Sequence, residues 1–133
     1  MIPVEPAPVV LIVEDEWLVR TDIVEEFRRA GWAVLEASSG ESALGIIESG
    51  ADIDALVTDI QLAARATGWD VADAFHRNRP GRPIICTSGN LAETSRLVSG
   101  SVFLHKPCPA DRLIELLARA REGACVHGRT HRC

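Results

Sequence analysis

Five short, mostly apolar runs separated by helical patterns constrain the fold of this chain more than any other feature. A continuous apolar run without regular polar alternation is typical of a strand that is buried on both faces. Such strands belong to parallel sheets that carry helices on either side. The sequence predicts these strands at residues 9–13, 33–37, 55–58, 84–87 and 102–104.

The segments between the runs carry apolar residues at the spacing of amphipathic helices. In the first segment Val19, Ile23 and Phe27 recur at this spacing, and Gly31 follows as a helix-ending signal. Helices are predicted over residues 16–30, 39–48, 69–78, 90–99 and 110–122. Because strands alternate with helices and crossovers are right-handed, we expect a doubly wound α/β domain. Its flavodoxin-like sheet has five parallel strands in the order 2-1-3-4-5, with helices on both faces.

The length of 133 residues and a hydrophobic content of 47% suit one globular domain. Three prolines predict an extended lead-in over residues 1–8, the domain covers residues 9–122, and residues 123–133 form an irregular tail. The longest apolar run is far shorter than the roughly 20 residues that span a bilayer, and no basic segment precedes it. We therefore expect a cytoplasmic protein with no membrane partner.

The net charge and the composition of the tail indicate whether the chain binds nucleic acid or zinc. The net charge of −5 opposes a phosphate backbone, so no nucleic-acid partner is expected. The tail contains ligand types that zinc accepts, at Cys125, His127, His131 and Cys133. Their spacing is not that of a usual zinc finger, so a disordered or helix-extending tail is favoured and zinc binding is left as the alternative.

Polar side chains stand at the ends of the predicted strands. Glu14 and Asp15 follow the first strand, and Asp59 follows the third. Carboxyl ends of neighbouring parallel strands meet at one edge of a sheet, so we expect these acids to converge. Carboxylates that lie close together repel one another, and a hard divalent cation such as Mg²⁺ relieves the repulsion. For each acid alone, a solvated loop or a helix cap is the competing interpretation.

The same edge lacks a glycine-rich phosphate loop, since neither G-x-x-x-x-G-K-[ST] nor G-x-G-x-x-G occurs. The acids instead suit chemistry in which Asp59 itself attacks phosphorus and receives a phosphoryl group. Lys106 is the only lysine among 14 basic residues, and its compact ammonium suits a phosphoryl oxygen. A hydroxyl at Thr87 is placed to hydrogen-bond the same group.

Four motifs at the ends of successive predicted strands make this interpretation specific. They are Val13-Glu14-Asp15-Glu16, Thr58-Asp59-Ile60, Cys86-Thr87-Ser88-Gly89 and Phe103-Leu104-His105-Lys106-Pro107. In order and spacing they resemble the response-regulator receiver domains of bacterial two-component signalling, over about residues 8 to 122. The chain resembles the stand-alone type, without an output domain of its own, and the alternative that it is one domain of a longer regulator or hybrid kinase is left open.

The resemblance implies a phosphoacceptor of a His-Asp phosphorelay. Asp59 would take a phosphoryl group from a sensor histidine kinase or a histidine phosphotransfer protein. Mg²⁺ would be held by Glu14, Asp15, Asp59 and the backbone carbonyl of Gln61. Such a protein catalyses only its own phosphorylation and dephosphorylation.

The resemblance also implies a switch. Thr87 and Lys106 would bind the phosphoryl group, and Phe103 would turn inward as the Thr87 hydroxyl moves. This movement would alter a surface that binds a downstream protein, whose identity the sequence does not give. Formation of a homodimer is left open.

Two other classes of function remain as alternatives. One is a pseudo-receiver that acts as a constitutive interaction or dimerisation domain, which the intact Asp59, Thr87 and Lys106 argue against. The other is a phosphatase with an aspartate nucleophile. It is disfavoured because Gln61, rather than a second acid, lies two residues after Asp59.

Overall fold

A five-stranded parallel sheet forms the centre of the molecule. The computed structural model describes residues 6–89 and 100–127, the last five of these by their backbone only. The strand order is β2-β1-β3-β4-β5, and all neighbours are parallel, as the sequence predicts. The strands are β1 (Val9–Val13), β2 (Ala33–Ala37), β3 (Ala55–Asp59), β4 (Ile84–Ser88) and β5 (Ser101–His105).

Helices cover both faces of this sheet. Within the described ranges they are α1 (Trp17–Arg29), α2 (Gly40–Glu48), α3 (Gly68–Asn78) and α4 (Ala110–His127). Neither α4 nor any other helix in these ranges is long and apolar enough to cross a membrane. The predicted helix over residues 90–99 lies outside the described residues.

The continuous apolar run of β1 serves two separate cores. Leu11 and Val13 join the core under α2 and α3, while Val10 and Ile12 join the core under α1 and α4. Successive side chains of a strand point to opposite faces, so a strand with helices on both faces has few positions left for polar residues. This is the physical reason why the run predicts a parallel sheet.

Local signals fix where the helices begin and end. The Ser39 side chain accepts a hydrogen bond from the Ser42 N–H at the start of α2. Thr67 and Asp70 form a reciprocal capping box at the start of α3. After α1, Gly31 adopts a positive φ of 97°, a conformation that costs glycine little.

The structure corrects the predicted ends of several elements. β3, β4 and β5 each extend through a polar residue, because the ladder continues to the pairs of Asp59 with Thr87 and Ser88 with His105. Asp59 therefore belongs to β3 rather than following it.

The C-terminal helix also differs from the prediction. α4 runs to His127, so residues 123–127 extend the helix, as one of the two favoured interpretations has it, and do not belong to an irregular tail. The segment has no proline, and a single glycine costs a helix only about 1 kcal/mol. Residues 128–133 and the side chains of Cys125 and His127 lie outside the described part, and so does the zinc alternative. Residues 6–8 of the predicted lead-in have no regular secondary structure, and residues 1–5 are not described.

Candidate functional site

Three carboxylates meet at the carboxyl edge of the sheet. Glu14 and Asp15 follow β1, Asp59 ends β3, and one oxygen from each lies within 4.8 Å of the others. β1 and β3 are neighbours in the sheet, and the strand order reverses between them. Such a reversal leaves a crevice at the carboxyl ends of the two strands. Glu14 is 3% exposed and Asp59 is 7% exposed. The acids predicted to converge do so in the structure.

Lys106 provides the cation beside these acids. Its Nζ lies 3.0 Å from Oδ2 of Asp59 and 3.1 Å from Oε1 of Glu14. The Lys106 backbone N–H donates to the Ser88 carbonyl at 2.8 Å, which continues the β4–β5 pairing and fixes the start of the side chain. The Lys106–Pro107 peptide bond that follows is cis.

Burial and charge shift the protonation of this cluster. Burial of Glu14 raises the pKa of its carboxyl group, and the neighbouring charge of Asp59 acts in the same direction. Burial of Lys106 acts to lower its pKa, but hydrogen bonds and charge from Asp59 and Glu14 outweigh burial and raise it. The ammonium therefore stays charged at neutral pH, while burial and the Asp59 charge disfavour the ionised form of Glu14.

The donor set fits a hard divalent cation. Three carboxylates face one ammonium, so negative charge is left uncompensated where oxygen ligands converge. Mg²⁺ prefers one or two carboxylates together with water and phosphate oxygens. The N–H of Gln61 donates to Oδ1 of Asp59 at 3.2 Å, which places this residue next to the acids. The ligand role of its carbonyl stays a prediction.

Thr87 lies on the strand beside Asp59. The two residues are paired in the β3–β4 register, and the Ile60 N–H donates to the Thr87 carbonyl at 2.9 Å. Both line a cavity of about 400 Å³ between α1 and α4. The cavity has a charged end formed by Glu14, Asp59 and Lys106, and apolar walls that include Val19, Ile23 and Leu113.

Phe103 is not among the residues that line this cavity. It pairs with Cys86 in the sheet, and its ring stacks on that of Trp69 with 6.5 Å between centroids and 17° between planes. Trp69 is buried at the start of α3. The predicted switch residue is thus packed against the core under α3.

Sequence reasoning missed two residues that support the site. Arg20 donates from Nη1 to the Glu14 carbonyl at 2.8 Å and from Nε to Oε1 of Glu36 at 3.1 Å. At Gly68 a Cβ atom would lie 2.0 Å from the Asp59 carbonyl oxygen, so only glycine lets α3 begin against the end of β3. A glycine at the start of a helix is visible in the sequence, whereas an arginine on a helix gives no sign that its side chain turns back toward the preceding strand.

An exposed apolar pair adjoins the same edge. Trp17 is 65% exposed and Leu18 is 70% exposed on the first turn of α1, directly after the acidic segment. Among the described residues these are the large hydrophobic side chains that stand out into solvent. Because exposed apolar surface can mark a protein contact, this pair is a candidate contact surface.

Comparisons with known proteins agree with this geometry. The family model of the response regulator receiver domain matches residues 10–118. The transcriptional regulatory protein PdtaR of Mycobacterium tuberculosis is 29% identical over 127 residues, which cover 90% of this chain and 61% of PdtaR. The chain thus spans about three fifths of the length of that curated relative.

Solved structures show the same relationship. A response regulator receiver protein from Sinorhizobium medicae superposes with a TM-score of 0.83 at 33% identity, covering 87% of this chain and 95% of that one. The receiver domain of the hybrid histidine kinase CckA gives a TM-score of 0.71 at 33% identity, covering 84% and 97%. The fold, the strand-end motifs and the family match lead to one conclusion: the chain belongs to the response regulator receiver domain family.

Proposed function

We propose that this protein is the phosphoacceptor of a His-Asp phosphorelay and that Asp59 receives the phosphoryl group. The observation that carries the proposal is the contact of the lone lysine, Lys106, with both Asp59 and Glu14 inside a cluster of oxygen ligands. Nucleophile, cation and metal ligands are thereby within reach of one phosphoryl group. A partner that carries phosphohistidine, either a sensor kinase or a phosphotransfer protein, supplies that group.

The transfer exchanges a P–N bond for a P–O bond. An Asp59 carboxylate oxygen attacks phosphorus in line, the bond to the donor imidazole breaks, and the imidazole leaves with the electron pair. Lys106 and the Thr87 hydroxyl bind the phosphoryl oxygens as charge redistributes onto them. Glu14, Asp15, Asp59 and the Gln61 carbonyl would hold Mg²⁺, which would supply further neutralisation of this charge. The chain acts on no other substrate in this scheme.

The two oxygens of Asp59 are held differently before reaction. Oδ1 accepts from the Gln61 N–H, and Oδ2 accepts from the Lys106 ammonium. Because both are hydrogen-bonded, the carboxylate is kept in a defined orientation toward the crevice. An oriented nucleophile reduces the entropic part of the barrier.

Phosphorylation then changes a protein-binding surface through Thr87 and Phe103. The added phosphoryl group draws the Thr87 hydroxyl toward itself. This movement of the hydroxyl changes the space beside the Phe103 ring. The ring already lies against Trp69, so a small shift of β4 alters how this aromatic pair packs. The charge added at Asp59 thus changes the packing of the Phe103–Trp69 pair, at a surface that a downstream protein contacts.

Trp17 and Leu18 are the proposed contact for the phosphodonor. They stand exposed at the edge where Asp59 lies, so a partner that covers them brings its histidine to the crevice. Burial of such side chains supplies binding energy without adding charge to an acidic site.

Incubation with Mg²⁺ and acetyl phosphate, followed by intact mass measurement, tests the function. We expect one acid-labile phosphoryl group on the unaltered protein and none on Asp59→Asn. Asp22→Asn, which replaces an exposed acid on α1, is the matched control and is expected to label normally. A label that survives Asp59→Asn would reject the assignment. Absence of any label on the unaltered protein would favour a constitutive interaction domain.

A further inference from the structure

Arg20 ties three elements together behind the acidic cluster. It lies on the first turn of α1, its side chain is only 14% exposed, and it turns back toward the end of β1. Nη1 donates to the Glu14 carbonyl at 2.8 Å, and Nε donates to Oε1 of Glu36 on β2 at 3.1 Å. One guanidinium thus bridges the segment after β1 and a carboxylate on the neighbouring strand.

The backbone of Glu14 is held on both sides by this arrangement. Its N–H donates to the Ala37 carbonyl of β2 at 3.1 Å, and its carbonyl accepts from Arg20. Asp15 is the next residue, so the same short stretch delivers two of the three clustered carboxylates. Where this stretch lies relative to β3 sets the distances from both acids to Asp59.

We propose that Arg20, oriented by Glu36, is a positioning residue that sets the affinity of the acidic cluster for Mg²⁺. The inference rests on the proposed function in that the cluster binds this ion. Arg20 contacts the backbone of Glu14 rather than its carboxylate, so it acts through that residue. Groups that orient metal ligands typically change metal affinity 10- to 100-fold when they are removed.

The positive charge of Arg20, taken alone, predicts the opposite effect on Mg²⁺ affinity from the one expected of a positioning residue. A nearby cation repels Mg²⁺, so if charge alone mattered, a neutral residue at this position would strengthen binding. If positioning dominates, the neutral residue weakens binding despite the lost repulsion. Lysine keeps the charge but cannot place two N–H groups on two acceptors in a planar fork.

The experiment is an Mg²⁺ titration followed by amide ¹H–¹⁵N NMR. We expect Arg20→Met to weaken Mg²⁺ binding about tenfold, at the lower end of the range for such groups. Arg20→Lys is expected to fall between Arg20→Met and the unaltered protein. Arg28→Met is the matched control, since Arg28 lies 3.9 Å from the other oxygen of Glu36 and is largely exposed, and we expect unchanged affinity.

A second variant and a second readout separate positioning from general damage. Glu36→Gln leaves Arg20 in place but removes its charged partner, and a smaller loss of Mg²⁺ affinity is expected. Labelling by acetyl phosphate should recover in both variants at saturating Mg²⁺, which a misfolded site would not allow. Equal or tighter Mg²⁺ binding by Arg20→Met and Glu36→Gln would overturn this inference alone. No Mg²⁺ response in the unaltered protein would overturn the proposed function and the inference with it.

Discussion

Lys106, at the end of β5, reaches across the end of β4 and places its ammonium 3.0 Å from Oδ2 of Asp59 at the end of β3. The same ammonium lies 3.1 Å from Glu14, so one cation is shared by two acids, one directly after β1 and the other at the end of β3. A phosphoryl group on Asp59 would meet a positive charge that is already in place, without the need to reorganise solvent.

The first prediction concerns the charge and the compact shape of the Lys106 ammonium. Lys106→Met should slow labelling by acetyl phosphate about 100-fold, the lower end of the cost of removing one group that stabilises developing charge. Lys106→Arg keeps the charge, but its wide planar fork does not fit the two short contacts, so we expect labelling and switching to be impaired as well. Time courses of intact mass measure both rates. Arg119→Ala, an exposed change on α4, is the control, and normal rates in Lys106→Arg would contradict the argument from shape.

The proposed contact of Trp17 and Leu18 with the phosphodonor gives the second prediction. Leu18→Asp places a charge on the exposed apolar pair and should slow transfer from a phosphohistidine donor about tenfold, equivalent to about 1.4 kcal/mol of lost contact. Labelling by acetyl phosphate should not change, because a small donor does not cover α1. Transfer from a phosphorylated histidine partner and labelling by acetyl phosphate are compared for this variant and for Glu25→Ala, an exposed control on the same helix. Equal loss with both donors would place the defect in the site rather than in docking.

The third prediction compares a glycine at which an added Cβ would meet the backbone of the site with a glycine at which it would meet nothing within 4 Å. A Cβ at Gly68 would meet the Asp59 carbonyl at 2.0 Å, so Gly68→Ala should destabilise the fold by about 1–3 kcal/mol through overpacking. At Gly45, in the exposed part of α2, a Cβ meets nothing within 4 Å, and Gly45→Ala should stabilise by up to about 1 kcal/mol. Urea unfolding measures both free energies. An unchanged midpoint for Gly68→Ala would show that β3 and α3 can separate freely.

The buried thiol of Cys86 predicts a dependence of stability on alkaline pH. Burial, with a smaller effect from the charge of Asp73, raises the pKa of Cys86 to about 12. The folded state therefore keeps its proton where the unfolded thiol, near 9.0, has lost it, and stability falls as pH rises from about 9 toward 12. The whole effect is on the order of 4 kcal/mol.

Comparison of the unaltered protein with Cys86→Ala isolates this contribution. The stability difference between the two proteins should narrow steadily in urea unfolding between pH 9 and pH 11. Cys86→Ala removes the titrating group and leaves the other ionisable side chains as they are. A difference that is constant with pH would show that the thiol titrates at its ordinary value.

The sequence predicts the sheet and the convergence of the acids because both depend on simple regularities. Apolar runs mark strands buried on two faces, and polar residues at strand ends collect at one edge of a parallel sheet. Asp59 and Lys106 follow this rule and meet there.

Other features depend on tertiary geometry that no local pattern encodes. The side chain of Arg20 turns back to Glu14 instead of lying along its helix, and Gly68 is required by a close approach of two elements. The polar residue Asp59 continues β3 because its main chain pairs with β4, whatever the side chain is. α4 passes its predicted end because one glycine is too weak a signal to stop it.

The strand order divides the site between early and late parts of the chain. The three acids lie within residues 14–59, whereas the ammonium that offsets part of their charge comes from residue 106. During synthesis from the N-terminus, the ribosome releases the anionic half of the site well before its counter-charge. Any nascent or truncated chain that ends before β5 therefore carries the three acids without the Lys106 ammonium, and a site that holds this ammonium beside the acids shows that the whole sheet has been built.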